Sequence, residues 1–175
     1  EEKLFYQVNH HANIAFAKSV LALKALYPDA KVGSSFAYTP GYAYDRHPEN
    51  AMALEDYNDL KNFYWMDIYA LGRYPRAAIK YLESKGVAPE FAPGDKQVLK
   101  EAAAKVDFMG VNYYQSCVVE HNPIDGVGMS MEMNTTGKKG TAKVSGVPGL
   151  YKNPQNEFLS TTDWDWTIDP MGIRI

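Results

Sequence analysis

Asn112 and Tyr114 stand two residues apart in the stretch Val106 to Tyr114, which carries almost no charge beyond Asp107 and reads as a strand. Side chains two apart on a strand share a face, so the amide and the phenol should converge at one strand end while Tyr113 points the other way. That pair suits a polyhydroxylated ligand. The amide both donates and accepts, and the phenol can hydrogen-bond a ligand or orient a neighbouring carboxylate. The same two side chains would equally serve to satisfy backbone groups beside a loop. A second strand end offers Phe36, Ala37, Tyr38 and Thr39, with Tyr38 as its candidate ligand contact. Neither end contains an Asp or Glu, so neither supplies a general acid, a base or a carboxylate nucleophile.

Other residues with chemical potential are weaker candidates. Trp164 and Trp166 flank Asp165, and an indole face beside a pocket can stack on a sugar ring; Trp164 is the better candidate, with packing as the alternative. His10 and His11 are adjacent, so on a helix they lie about 100° apart, whereas useful metal pairs are spaced i, i+4. One is expected to face the interior and the other to be packed or solvated. His47 and His121 have no second ligand at a recognised spacing, and no metal site is expected. The run Gly137-Lys138-Lys139-Gly140 could touch an anion, but it lacks the strand before and the helix after that a phosphate-cradling loop requires, and it reads as solvated.

The elements that must position these residues alternate. Leu4, Val8, Ala12, Ala15, Ala22 and Leu26 recur at helical spacing over Glu2 to Tyr27 and are expected to form the buried face of a long helix. A short buried strand over Lys31 to Tyr38 follows, then a Pro/Gly/Tyr loop through His47. Glu49 to Leu71 is helical, with Ala53, Tyr57, Leu60, Tyr64 and Leu71 on one stripe and Gly72 as its stop. Helices over Arg76 to Ser84 and about Lys96 to Lys105 lead into the Val106 to Tyr114 strand. Strands each preceded by a helix of crossover length define an α/β chain with a parallel sheet buried on both faces. Gln115 to about Thr167 shows no sustained period and reads as one long functional loop of about residues 115–167.

Composition narrows the classes. With 175 residues, 46% of them hydrophobic, the chain can build an ordinary core. A formal charge of −3 with scattered lysines argues against nucleic acid, and no apolar run approaches the roughly 20 residues that span a bilayer. The lone Cys117 allows no internal disulfide, and the chain reads as cytoplasmic. Glu1 opens a helical pattern without a methionine and Ile175 follows a helix-start-like run, so both ends are expected to be cuts in a longer protein.

Asp107-Phe108-Met109-Gly110-Val111-Asn112-Tyr113-Tyr114 resembles the sixth-strand signature of glycoside hydrolase family one. Other blocks agree in order. Tyr6-Gln7 through His10-His11 resembles the helix after the family's acid/base strand. Asn62-Phe63-Tyr64-Trp65-Met66-Asp67 with Gly72-Arg73-Tyr74-Pro75 resembles its asparagine-aromatic-aspartate and glycine-tyrosine-proline block, and Trp164 through Arg174 resembles its lead into the next helix.

The resemblance implies that residues 1–175 are part of a TIM (β/α)₈ barrel, roughly from the helix after strand 4 to the start of the helix after strand 6. It implies a retaining β-glycosidase, without cofactor or metal, whose two glutamates lie in an Asn-Glu pair and a Glu-Asn-Gly run. The sole Asn-Glu here, Asn156-Glu157, falls in the long loop, and no Glu-Asn-Gly occurs, so this segment is expected to lack both catalytic carboxylates and to be inactive alone. Tyr114 resembles the tyrosine that orients the nucleophile, and Asn112 a polar residue of the sugar site. Ala37 stands where the family's usual fifth-strand asparagine falls, and it resembles the phospho-glycosidase branch, as do Asn134 to Gly140 and Thr162 to Trp166. The implied substrate is a 6-phospho-β-glucoside, in bacterial carbohydrate metabolism. The alternatives are a β-glucosidase or β-galactosidase on unphosphorylated sugars, a non-catalytic sugar-binding remnant, and an inert fragment. The expected partners are a sugar or sugar-phosphate β-glycoside and the missing barrel segments, or other chains, covering exposed edges; nucleic acid and membrane are not among them.

Overall fold

The computed structural model describes residues 1–129, 134 and 136–174. Thr135, inside the Asn134 to Gly140 run, and Ile175 lie outside the described residues. The chain divides into two compact units, residues 1–36 with 63–112 and residues 37–62 with 113–175.

The first unit is built on α1 (Glu2–Leu26), α3 (Phe63–Leu71), α4 (Arg76–Ser84) and α5 (Asp95–Ala103), with most of β1 (Gly33–Tyr38) and β3 (Phe108–Tyr113). The two strands are neighbours in a two-stranded sheet. Ile14, Ala17, Val20, Tyr64, Ile68, Leu82 and Leu99 form its buried apolar material. Helix α1 has the expected extent but buries a different face. Leu4 and Leu26 are 67% and 74% exposed, and Val8, Ala12, Ala15 and Ala22 are exposed as well. The buried stripe is His10, Asn13, Ile14, Ala17 and Val20. Apolar periodicity could not reveal it because two of its members are polar and become buriable only through their partners.

Those partners come from distant parts of the unit. His10 Nδ1 shares a hydrogen bond with Tyr74 Oη at 3.0 Å, and its Nε2 lies 3.0 Å from Asp95 Oδ2. Asn13 Nδ2 donates to the same phenol oxygen at 3.1 Å, and the ring of Phe91 covers the imidazole at a centroid distance of 4.6 Å. His11, one residue on, is exposed beside Gln7. Gly72 ends α3 in the left-handed region at φ 66°, and a Cβ there would lie 2.5 Å from Lys100 Cα, so both backbone conformation and space demand glycine.

The expected burial of both strand faces is not what the structure has. Only Phe36 of β1 is buried, and Phe108, Met109 and Val111 of β3 are exposed. A strand pair covered by helices on one side leaves its other face open, and a closed barrel would be needed to fill it. Leu71, assigned to the buried stripe of the long helix, is also exposed at the end of α3.

The second unit contains a mixed four-stranded sheet in the order β2-β4-β6-β5. Strand β2 (Gly41–Ala43) arises within what reads in sequence as a loop, and it pairs in parallel with β4 (Cys117–His121) in the register Gly41 to Cys117 and Ala43 to Val119. The stretch read as one long loop likewise builds β4, β5 (Ser145–Val147) and β6 (Tyr151–Asn153), the last two as an antiparallel hairpin. Strands of three to five residues are too short to show a period. Helix α2 (Pro48–Tyr57) lies over this sheet, with Ala53 and Tyr57 in a core with Val119 and Tyr151. Pro48 sets the first-turn φ, and Asp45 accepts the His47 N–H and the Asn50 amide, each at 2.7 Å.

A π-helical turn, Asn58–Asn62, follows α2. Fully buried Asn62 donates to Thr39 O at 3.0 Å and accepts the Thr39 N–H at 3.3 Å, which fixes the backbone just beyond β1. Such turns often mark functional places. No described helix is long and apolar enough to cross a membrane.

Tyr74→Phe keeps the ring of the first unit's polar core but leaves His10 Nδ1 and Asn13 Nδ2 without their shared partner. It should reduce stability by roughly 1–3 kcal/mol, read as a lower denaturant midpoint at unchanged slope. An unchanged midpoint would show that the phenol oxygen contributes nothing to the fold.

Candidate functional site

Strand β3 ends at Tyr113, and the second unit organises the residues beyond it. Tyr113 Oη donates to the backbone carbonyl of Asp169. The Asp169 carboxylate accepts Tyr42 Oη at 2.8 Å on one oxygen and the N–H groups of Met171 and Gly172, each at 3.0 Å, on the other. Burial opposes ionisation of Asp169, but these donors hold its carboxyl below the usual range. Gly172 starts a 3₁₀ turn, Gly172–Arg174, and a Cβ there would meet Tyr113 Oη at 2.3 Å, so glycine is what lets the phenol reach the turn. Gln115 Oε1 accepts the Thr167 N–H at 3.3 Å. Residues 113–115 are thus held along the segment 167–172.

With Tyr113 anchored, Tyr114 turns outward. It is 67% exposed, and its ring tilts against Trp166 at a centroid distance of 5.9 Å and an interplanar angle of 54°. Trp164, the candidate for stacking on a sugar ring, is half-exposed beside Gly137, and it is Trp166 that packs on Tyr114. Asp165, between the two indoles, has φ 61°, in the left-handed region. Asn112 belongs to the first unit, where its Oδ1 accepts Ser35 Oγ at 3.3 Å on an exposed strand face.

The phenols of this region are neutral donors. Burial raises Tyr38 above the ordinary tyrosine value. Burial, followed by the hydrogen bond to Asp169, pushes Tyr42 up to about 12. Burial, followed by the Asp169 charge, raises Tyr113. At neutral pH such groups orient a hydroxylated ligand or a carboxylate and transfer no proton themselves. Asp169 is the carboxylate that sequence reasoning missed. It takes several internal donors and so serves positioning. The signal for it was the Asp169-Pro170-Met171-Gly172 run, a side-chain cap for a helical start.

The Gly137 to Gly140 loop is not simply solvated. Asp165 accepts the N–H groups of Gly140 at 2.6 Å, Thr141 at 3.0 Å and Ala142 at 2.9 Å, and the Asn134 amide at 2.9 Å. Those bonds, the Gly140 N–H first, hold the Asp165 carboxyl below its ordinary value. Lys139 reaches Thr161 O at 3.0 Å. Among the described residues no group of three His, Cys, Asp or Glu is placed to hold a metal.

The family model for glycosyl hydrolase family 1 matches residues 1–175, the whole chain. The chain belongs to glycosyl hydrolase family 1. It is 45% identical over 175 residues to the aryl-phospho-β-D-glucosidase BglC of Bacillus subtilis, covering all of this chain and 36% of that protein. It is 31% identical over 175 residues to the 6-phospho-β-glucosidase AscB of Escherichia coli, covering 32% of it. The chain therefore spans about a third of the length of the curated relatives it matches. Among solved structures, a family 1 β-glucosidase of Thermotoga maritima superposes with a TM-score of 0.73 at 20% identity, over 99% of this chain and 33% of that one. These likenesses establish the fold as part of the family 1 (β/α)₈ barrel, running roughly from the helix after strand 4 to the start of the helix after strand 6. In that frame α1 follows the fourth strand, β1 is the fifth strand and β3 the sixth.

Because Asp165 is held below its ordinary value, its bonds are made at neutral pH and persist above the unfolded carboxyl range near 4. They are lost as pH falls through the lower, folded value. The protection of the Gly140, Thr141 and Ala142 amides, taken relative to the intrinsic exchange rate at each pH, should therefore hold at neutral pH and fall as pH drops through the lowered Asp165 value, and Asp165→Ala should reduce it already at neutral pH. Equal exchange in variant and parent would remove Asp165 from this role.

Proposed function

We propose that this chain is the fifth- and sixth-strand portion of a retaining β-glycoside hydrolase that cleaves 6-phospho-β-glucosides in the cytoplasm. The observation that carries the reading is the 45% identity, sustained over all 175 residues, to an aryl-phospho-β-D-glucosidase. The 6-phospho-β-glucosidase at 31% supports the same substrate class. Ala37, on the fifth strand, agrees with the phospho-glycosidase branch.

Retention needs two carboxyl groups about 5 Å apart, one forming a glycosyl-enzyme and the other acting first as acid and then as base. In this reading neither is supplied by the segment. Glu157 of the sole Asn-Glu pair is exposed in the turn after β6, and Asp169 is occupied by its own donors. The segment's part is then orientation. Tyr114 positions the nucleophile, and its exposed hydroxyl on a ring steadied by Trp166 supports that role. Asn112, Tyr38 and Trp164 contact substrate.

The test compares nitrophenyl β-glucoside with its 6-phosphate. The complete enzyme containing this chain should turn over the phosphorylated compound in strong preference, and the 175-residue chain alone should hydrolyse neither. Preference for the unphosphorylated compound would overturn the substrate assignment. Tyr114→Phe in the complete enzyme should lower kcat about tenfold or more, near 1.4 kcal/mol of transition-state stabilisation, with the fold retained. Unchanged turnover would remove Tyr114 from the nucleophile.

A further inference from the structure

A cavity of about 470 Å³ opens in the second unit, lined among others by Tyr44, Glu120, Lys139, Gln155, Glu157 and Thr161. A smaller hollow of about 240 Å³ adjoins it, sharing Tyr44, Gln155 and Glu157 and adding Val118 and Phe158. The size falls in the range of small-ligand sites. Its place in the sheet is also telling. Tyr44 directly follows β2 and donates its backbone N–H to Val119 O at 2.8 Å, and Glu120 lies near the end of β4, so the cavity sits at the C-terminal ends of the two strands that run in parallel. Those are the ends at which parallel sheets present ligands.

The lining has a specific chemical character. Glu120 is paired with Lys152 at 3.0 Å, and Lys139 donates to the Thr161 carbonyl at 3.0 Å. The cavity wall presents the carboxylates of Glu120 and Glu157 and the ammonium of Lys139, and Lys152 neutralises Glu120, so the wall is close to charge balance and offers no net attraction to an anion. The amide of Gln155 can donate and accept, and the two carboxylates accept, along a chain of hydroxyls. The buried Thr161 hydroxyl in the lining has no hydrogen-bond partner among the described residues, a polar group left uncompensated by the protein. Aromatic faces complete the rim: Tyr44 is 46% exposed and Phe158 is 93% exposed. Such large exposed rings beside hydroxyl-matching polar groups suit a ligand with both C–H faces and hydroxyl edges.

We propose that this cavity is a binding site for a neutral saccharide, distinct in chemistry from any site for a sugar phosphate. The ligand lies with a ring face on Tyr44 and Phe158 and its hydroxyls on Gln155, Glu157 and Glu120. Binding there does not require the chain to take part in hydrolysis.

The test is calorimetric titration of the intact protein with thiocellobiose, a neutral disaccharide whose sulfur linkage resists hydrolysis, and with glucose 6-phosphate. Thiocellobiose should bind, and Tyr44→Ala, Gln155→Ala and Phe158→Ala should each weaken it several-fold, up to about tenfold, without changing Tm; all three side chains are exposed enough for the fold to tolerate their loss. Glucose 6-phosphate should show no binding that responds to these variants. Failure of thiocellobiose to bind, or an affinity that none of the three substitutions changes, would overturn the site. Where the variants do weaken binding, hydrolysis separates the two sources of the sugar. A raised KM for a disaccharide substrate in Tyr44→Ala marks the cavity as the seat of the substrate's far end, and unchanged hydrolysis marks it as a seat for a separate saccharide.

Discussion

The carboxylate and carbonyl of Asp169 are where separate stretches of the second unit meet. Tyr42 comes from β2, Tyr113 from the end of β3, and the N–H groups of Met171 and Gly172 from the turn that follows. Remove the carboxylate and three of these donors, the Tyr42 hydroxyl and the Met171 and Gly172 N–H groups, lose their common acceptor. The outward position of Tyr114 follows from it. Because Tyr113 is tied inward by its hydroxyl, the next side chain must face the other way, and it finds Trp166 there.

Buried polar residues play the same part elsewhere. His10 joins α1 to Tyr74 and Asp95, and Asn62 grips both backbone groups of Thr39 from a π turn. Apolar packing brings helices together with little regard for register, whereas a side chain with two fixed partners accepts one register only. In this chain the residues that set geometry are therefore largely the ones a hydrophobicity scan passes over.

That explains what the sequence could and could not reveal. The extents of α1 and α4, the stop at Gly72 and the presence of β1 and β3 were legible, since long apolar periods and left-handed glycines are local signals. The buried face of α1 was not, because His10 and Asn13 look polar until Tyr74 is beside them. The hairpin of β5 and β6 left one readable trace, Pro148-Gly149 between Val147 and Leu150, where Gly149 has φ 82° and Leu150 N–H bonds Val147 O at 3.0 Å as a type II turn would place them. Strand β2 left none, since three residues beside β4 owe their conformation to their partner. Tyr114 and Asn112 were identifiable as candidates from spacing alone. The packing of Trp166 on Tyr114 was not legible, because 52 residues separate them and nothing local marks the contact.

The loop around Asp165 has a consequence for charge selectivity. Three consecutive backbone N–H groups converge there beside two lysines, an arrangement that would otherwise attract phosphate oxygens. A carboxylate tethered on the same chain competes with any dissolved anion at an effective concentration in the millimolar range or above. A phosphorylated sugar at ordinary cellular levels would have to displace an occupant that never diffuses away. The protein thus keeps a basic, amide-rich loop near its surface without making it a sink for free phosphate esters.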